Sequence, residues 1–218
     1  MTPKRLIACI SCHSYVYPKH DQGGAHHNGP NESRSKAIRE TWFRTWKLKY
    51  SDQIDLKFFL GRSASVPRED EVFLDCADDY YSLPRKVQKM FEWAAERDYD
   101  QVAKIDDDVW LWVDRLLSNL DNTDYKGFVL ESADGKYTSG TAYWLSNKAM
   151  KIIAAAPWNP TDWAEDKWVG KVLAEHGIFP VHDERFQCCH CKQCKIRYPE
   201  SDRISTHTVD PKEMYVRV

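Results

Sequence analysis

Long apolar runs are missing from this chain. None approaches the roughly 18–20 consecutive apolar residues that a membrane-crossing helix needs, so no span is expected. No signal peptide is expected either. Met1 leads almost directly into RLIACISC, which reads as a first strand, and the expectation is a cytoplasmic protein. Charge of one sign is not in excess. The 31 Lys and Arg face 33 Asp and Glu, a formal net charge of −2, which excludes the global basic field of most nucleic-acid binders. Internal repeats are absent as well. The 218 residues, 42% hydrophobic and 29% charged, suffice for one α/β domain with a sizeable core.

Some features are abundant. Nine tryptophans are many for this length, and Trp often lines pockets and interfaces. Residues 1–50 hold nine Lys and Arg against Asp21, Glu32 and Glu40, a local excess suited to an anionic ligand. The cysteine count is seven, an odd number, with four packed into CCHCKQC. Together with a cytoplasmic address this favours thiols or metal over disulfides. Cys188-x-x-Cys191-x-x-Cys194, with His190 inside it, has the spacing of a zinc knuckle and makes a structural Zn²⁺ one reading; free thiols and a disulfide are the others. Cys9-x-x-Cys12 is a further candidate pair, although residues three apart on a strand point to opposite faces.

Periodicity gives the architecture. Ile38, Trp42 and Trp46 recur every fourth residue and predict one helix of about 15 residues. IDLKFFL (54–60) reads as an alternating strand closed by Gly61, and EVFLDC (71–76) as another. Pro84 fits the first turn of a helix striped by Val87, Met90, Phe91 and Ala94. QVAKI (101–105) is a short buried strand, VDRLLSNL a helix, and GFVLE and TAYWLS strands. NKAMKIIAAA is a helix stopped by Pro157, and WAEDKWVGKVLAEHG a helix with Gly177 as its C-terminal cap. ISTHTV is a last short strand. Strands alternating with helices imply a single α/β domain over 1–218, with a mostly parallel sheet and helices on both faces. The loop-like stretch Tyr17–Ser33 follows the first strand, where open α/β sheets hold ligands.

AKIDDDVWLW places Asp106, Asp107 and Asp108 between apolar segments, where each charge would be costly if buried alone. On an extended backbone Asp106 and Asp108 share one side. Two carboxylates at a strand end suit Mg²⁺ or Mn²⁺, which commonly bind through one or two carboxylates plus substrate phosphates. The alternative is a solvated acidic turn. Glu165 and Asp166 in WAEDKWVG could include a general base beside apolar surface, or could simply complement the helix dipole.

Together these pieces resemble the β-1,3-glycosyltransferases of the galactosyltransferase and Fringe group. SRSKAIRETW (33–42) is similar to the family's R-x-x-x-I-R-x-T-W, and DCADDYYSLPRKVQKMFEW (75–93) to its D-x-Y-x-N-L-T-x-K element. AKIDDDVWLWVDRL resembles K-x-D-D-D-V-F-V-N, and YTSGTAYWLSNKAM (137–150) resembles Y-x-S-G-x-G-Y-V-L-S. AEDKWVGKVLAEHGI (164–178) resembles E-D-V-x-x-G, and STHTVDPKEM (205–214) the closing V-H-x-x-x-P-x-E-M. The chain departs at Ser82 and Pro84, at Ala142 and at Lys167.

The resemblance implies a glycosyltransferase A type nucleotide-diphosphosugar transferase domain that inverts configuration. It implies Mn²⁺ or Mg²⁺ as cofactor and a UDP-sugar donor. The acceptor would be a saccharide or glycoconjugate, or a hydroxylated DNA base in a bacterial or phage protein. A non-catalytic nucleotide-sugar-binding module is the alternative of another class. By resemblance Asp108, Asp106 and His207 address the metal, with the tail at 203–218 closing over it. Arg34, Arg39, Lys86, Asp106, Asp107 and Gly140 would lie at the donor. Asp166 is the base position and Glu165 its neighbour. The Cys-rich segment 186–198 has no counterpart in the family pattern.

Overall fold

The computed structural model describes residues 3–11, 32–79, 81–159, 161–162, 164–187, 199–208 and 211–217. Seven strands form the main sheet. Arg5–Ile10 (β1), Asp55–Leu60 (β2), Glu71–Phe73 (β3) and Gln101–Asp106 (β4) run parallel in the order β3-β2-β1-β4. A three-residue strand Val109–Leu111 (β5) leaves this sheet. Gly135–Ser146 (β7) then pairs antiparallel with both β4 and Tyr125–Ser132 (β6), and Val181–His182 (β8) closes the edge parallel to β6. The sheet is thus mostly parallel, as expected, with an antiparallel hairpin inserted next to β4.

Strand side chains alternate between two cores. Leu6, Ala8 and Ile10 of β1 enter one, and Ile7 and Cys9 the other. The first core is covered by Leu83–Ala95 (α3), Asn147–Ala155 (α5) and Glu165–Glu175 (α6). The second is covered by Glu32–Glu40 (α1), Trp42–Lys49 (α2), Val113–Ser118 (α4) and Pro211–Val216 (α7).

Local chemistry fixes the element ends. Pro84 sits in the first turn of α3, where its missing N–H costs nothing. The Ser146 hydroxyl accepts from the Ala149 N–H and caps α5. Gly177 takes φ +73° just beyond α6, the left-handed geometry that a glycine adopts without penalty. The helix expected through Ile38, Trp42 and Trp46 is two helices. Thr41 breaks it with φ −118° and ψ −113°, its hydroxyl donating to the Ala37 carbonyl. The strand expected over 71–76 ends at Phe73, and the one expected to begin at Thr141 begins at Gly135.

A second, three-stranded sheet brings the tail to the middle of the chain. Ser205–His207 (β10) pairs antiparallel with β5 and parallel with Phe186–Gln187 (β9), placing His207 opposite Val109. The Trp42 indole N–H donates to the Val109 carbonyl, so α2 holds the same strand from the other side. Among the described residues, no helix is long and apolar enough to cross a membrane.

Candidate active site

β1, β2 and β4 all end on one edge of the sheet, where open α/β sheets bind ligands. Asp106 is the last residue of β4, and Asp107 and Asp108 form the turn into β5. The triplet is held from three directions. Ser11, just past β1, donates its hydroxyl to Asp107 Oδ2 at 2.8 Å. Arg34 of α1 approaches Asp107 Oδ1 at 3.3 Å and Asp108 Oδ2 at 3.6 Å. His207 Nε2 lies 3.2 Å from Asp108 Oδ2. The backbone is pinned as well, because the Thr208 N–H and hydroxyl both donate to the Asp108 carbonyl, at 2.6 and 2.8 Å.

Electrostatics follow from this burial. Burial pushes the Asp107 carboxyl up to about 6, against the opposing pull of Arg34. Burial likewise raises Asp106 to about 6, although Lys104 pulls it down. The Asp106 side chain keeps 29% of its surface exposed, so water still reaches one edge. For His207, burial disfavours the imidazolium, but the hydrogen bond and charge of Asp108 prevail and leave its pKa raised.

Glu165 and Asp166 open α6 and approach the triplet from the β7 side. They do different things. Glu165 is buried at 4% exposure; its Oε1 accepts from the Tyr143 hydroxyl at 2.5 Å and its Oε2 lies 3.3 Å from Lys104 Nζ. Burial raises it to about 7. Asp166 is half-buried, and its carboxylate accepts the backbone N–H of Gly140 at 3.3 Å and of Lys167 at 2.8 Å. Its pKa is raised by burial too.

Lys104 joins the two acidic groups. Its side chain is fully buried, with Nζ 2.7 Å from Asp106 Oδ1, 3.3 Å from Glu165 Oε2, and donating to the Gly140 carbonyl. Burial alone would lower its pKa, but the two carboxylates more than offset that and keep it a cation. Gly140 lets α6 approach closely: a Cβ there would sit 3.2 Å from Glu165 Oε2 and press on that carboxylate.

Two residues expected at the donor, Arg39 and Lys86, have protein partners in this structure. Arg39 makes a two-pronged ion pair with Asp70, bonds Glu71 at 2.8 Å, and lies over the Phe58 ring. Lys86 is fully buried and donates to the Ser11 carbonyl and to Asp78, supporting the end of β1 from beneath. Cys188, His190, Cys191 and Cys194 lie outside the described residues. Among the described residues there is no ready-made group of three or more His, Cys, Asp or Glu side chains that could hold a metal ion. Asp108 and His207 form a two-residue pair. Lys104, Ser11, Tyr143 and Thr208 were not singled out from the sequence. A lysine inside the apolar strand segment VAKI was the available signal for the first.

Residues 33–134 match the galactosyltransferase family model. That stretch contains Arg34, Lys104 and the triplet, and stops before Glu165, Asp166 and His207. No curated protein is close enough in sequence to match. Among solved structures, the chain is similar to a glycosyltransferase involved in the glycosylation of the major capsid of PBCV-1, at 15% identity and a TM-score of 0.50, covering 99% of this chain and 98% of that one. It is also similar to a chain assigned as a nucleotide-diphospho-sugar transferase from Desulfovibrio desulfuricans G20, at 12% identity and a TM-score of 0.47, covering 82% and 80%. At such identities the first likeness speaks for the fold, and the second adds no argument. The family match thus covers α1 and the triplet, and the fold along the whole chain is similar to that of a glycosyltransferase.

Proposed function

We propose that this glycosyltransferase moves a sugar from a UDP-sugar to a hydroxyl of a saccharide or glycoconjugate, with inversion at the anomeric carbon and with Mn²⁺ or Mg²⁺ as cofactor. One observation carries the reading. Asp106 of the triplet and Glu165 of the acidic pair, far apart in sequence, meet at one buried ammonium, 2.7 and 3.3 Å from Lys104 Nζ, at the edge of the sheet where β4 ends.

The donor set fits a divalent ion. Asp108 Oδ2 and His207 Nε2 face each other at 3.2 Å, close to the ~3 Å between adjacent ligands that each lie about 2.1 Å from an octahedral metal. A carboxylate with an imidazole favours Mn²⁺ over Mg²⁺, which prefers oxygen alone. Asp108 and His207 would hold the ion, with Asp106 beside them. When bound, the cation would neutralise the diphosphate leaving group. Arg34, already 3.6 Å from Asp108, adds positive charge on the same side.

Inversion in one displacement needs a base opposite the leaving group. Asp166 suits that role better than Glu165. The pKa of each is raised by burial, but the Asp166 carboxylate is half-buried and takes backbone N–H groups, whereas Glu165 is enclosed by Lys104 and Tyr143.

The experiment is a donor screen read by UDP release in Mn²⁺, run with saccharides, glycoproteins and hydroxymethylated DNA as acceptors. Transfer to a saccharide or glycoprotein supports the reading. Transfer to DNA alone would move the acceptor to a modified base. Binding of UDP-sugar without turnover on any acceptor would make the chain a binding module.

A further inference from the structure

Both backbone polar groups of Gly140 are gripped. Its carbonyl accepts from Lys104 Nζ, and its N–H donates to Asp166 Oδ2 at 3.3 Å. The same ammonium lies 3.3 Å from Glu165 Oε2, one residue before Asp166 on α6. A fully buried lysine is uncommon unless paired, and here its third contact is Asp106 at 2.7 Å. We propose that Lys104 is the positioning residue of the catalytic base, fixing the Asp166 carboxylate through the Gly140 backbone and through Glu165 while its contact with Asp106 sets the base against the donor side.

Three features of the geometry support this role over simple charge balance. First, Lys104 and Asp106 are two residues apart on β4 and therefore share a face, so the ammonium cannot move without moving relative to the triplet. Second, Gly140 lies in β7, beyond the last β4–β7 backbone pair at Ala142, so its peptide is not fixed by the neighbouring β4 backbone. Lys104 supplies that contact instead. Third, Glu165 is itself braced by the Tyr143 hydroxyl at 2.5 Å, which leaves the first turn of α6 little freedom. A shift of about 1 Å at a reacting group can cost on the order of 100-fold in rate.

The inference rests on Asp166 being the base, and a double-mutant cycle separates the two claims. Lys104→Met, Asp166→Asn and the double variant are compared in the full chain by kcat, acceptor KM and Tm. Lys104→Met is expected to lower kcat by on the order of 100-fold in the wild-type background and by only a few-fold once Asp166→Asn is present, because a positioning group has nothing left to position. The Tm decrease should be the same in both backgrounds. Should Lys104→Met fail to fold, Glu165→Gln replaces it in the same cycle with the same expected non-additivity. Equal kcat losses in both backgrounds would overturn the positioning role and leave Lys104 as structural. Full activity of Asp166→Asn by itself would instead overturn the assignment of the base.

Discussion

His207 Nε2 lies 3.2 Å from Asp108 Oδ2, although the two residues come from the tail and the middle of the chain. The small sheet makes the meeting possible, since β10 pairs with β5 directly after the acidic turn. In the proposed mechanism His207→Ala removes one protein ligand. Losing even an outer partner of a ligand costs roughly 10–100-fold in metal affinity. The Mn²⁺ concentration for half-maximal activity should therefore rise at least ~10-fold, with Tm in EDTA changed by only a few degrees. A Mn²⁺ titration of activity checks this, and an unchanged midpoint would take His207 out of the site.

Glu165 predicts a pH dependence of stability. Burial raises its folded pKa to about 7, above the ordinary ~4.3 for a glutamate. Between those values the folded chain holds a proton that the unfolded chain has released. Stability from this group is thus complete below about pH 4.3 and is lost as pH rises through about 7, an effect on the order of 3–4 kcal/mol. In Glu165→Gln that slope should become shallower in urea unfolding free energies measured across the window, with Asp106 and Asp107, also raised by burial, supplying what remains. A variant as steep as the parent would show that Glu165 is ionised throughout.

Gly170 in α6 sets two effects against each other. Alanine in place of glycine inside a helix ordinarily stabilises by about 1 kcal/mol. Here an added Cβ would fall 2.5 Å from Tyr137 Cβ and 3.0 Å from its Cα, a contact with atoms near or on the backbone. Overpacking of this kind costs roughly 1–3 kcal/mol, so Gly170→Ala should lower stability. Because α6 begins with Glu165 and Asp166, kcat should fall as well. A higher Tm for Gly170→Ala in thermal unfolding would contradict this.

The cysteine segment yields a chemical prediction from sequence alone. A zinc knuckle at Cys188, His190, Cys191 and Cys194 predicts about one Zn²⁺ per chain in protein purified without added metal. Elemental analysis finding none would leave thiols or a disulfide.

Much of the fold was legible because burial imposes periodicity. The α3 stripe, the IDLKFFL strand and the Gly177 cap follow directly from residue spacing. The break at Thr41 was hidden because Ile38, Trp42 and Trp46 keep helical spacing across it, and what interrupts the helix is a single residue's backbone geometry. The antiparallel placement of β7 was hidden because strand direction depends on partners, not on composition.

At the site, the acidic residues were legible as residue types, and the choice of Asp166 over Glu165 as the base position rested on resemblance alone. Asp166 and Glu165 are neighbours in sequence, and only packing against Tyr143 and Lys104 separates an enclosed carboxylate from an accessible one. The partners of Arg39 were hidden for the same reason. It lies in the basic α1 segment, yet Asp70 and Glu71 engage it.

The central claim is that Asp108 binds the donor through a divalent cation. Calorimetric titration of UDP into the full chain, in Mn²⁺ and in EDTA, tests it most directly, with Asp108→Asn as the control that keeps the side chain's shape. Asp108 also pairs with Arg34 and His207, so its removal should cost some stability, and folding of the variant is verified first by circular dichroism. The account predicts UDP binding by the parent in Mn²⁺, a loss of at least ~10-fold in EDTA, and little further loss when Asp108→Asn is combined with EDTA. Equal UDP affinity with and without Mn²⁺ in the parent would contradict it.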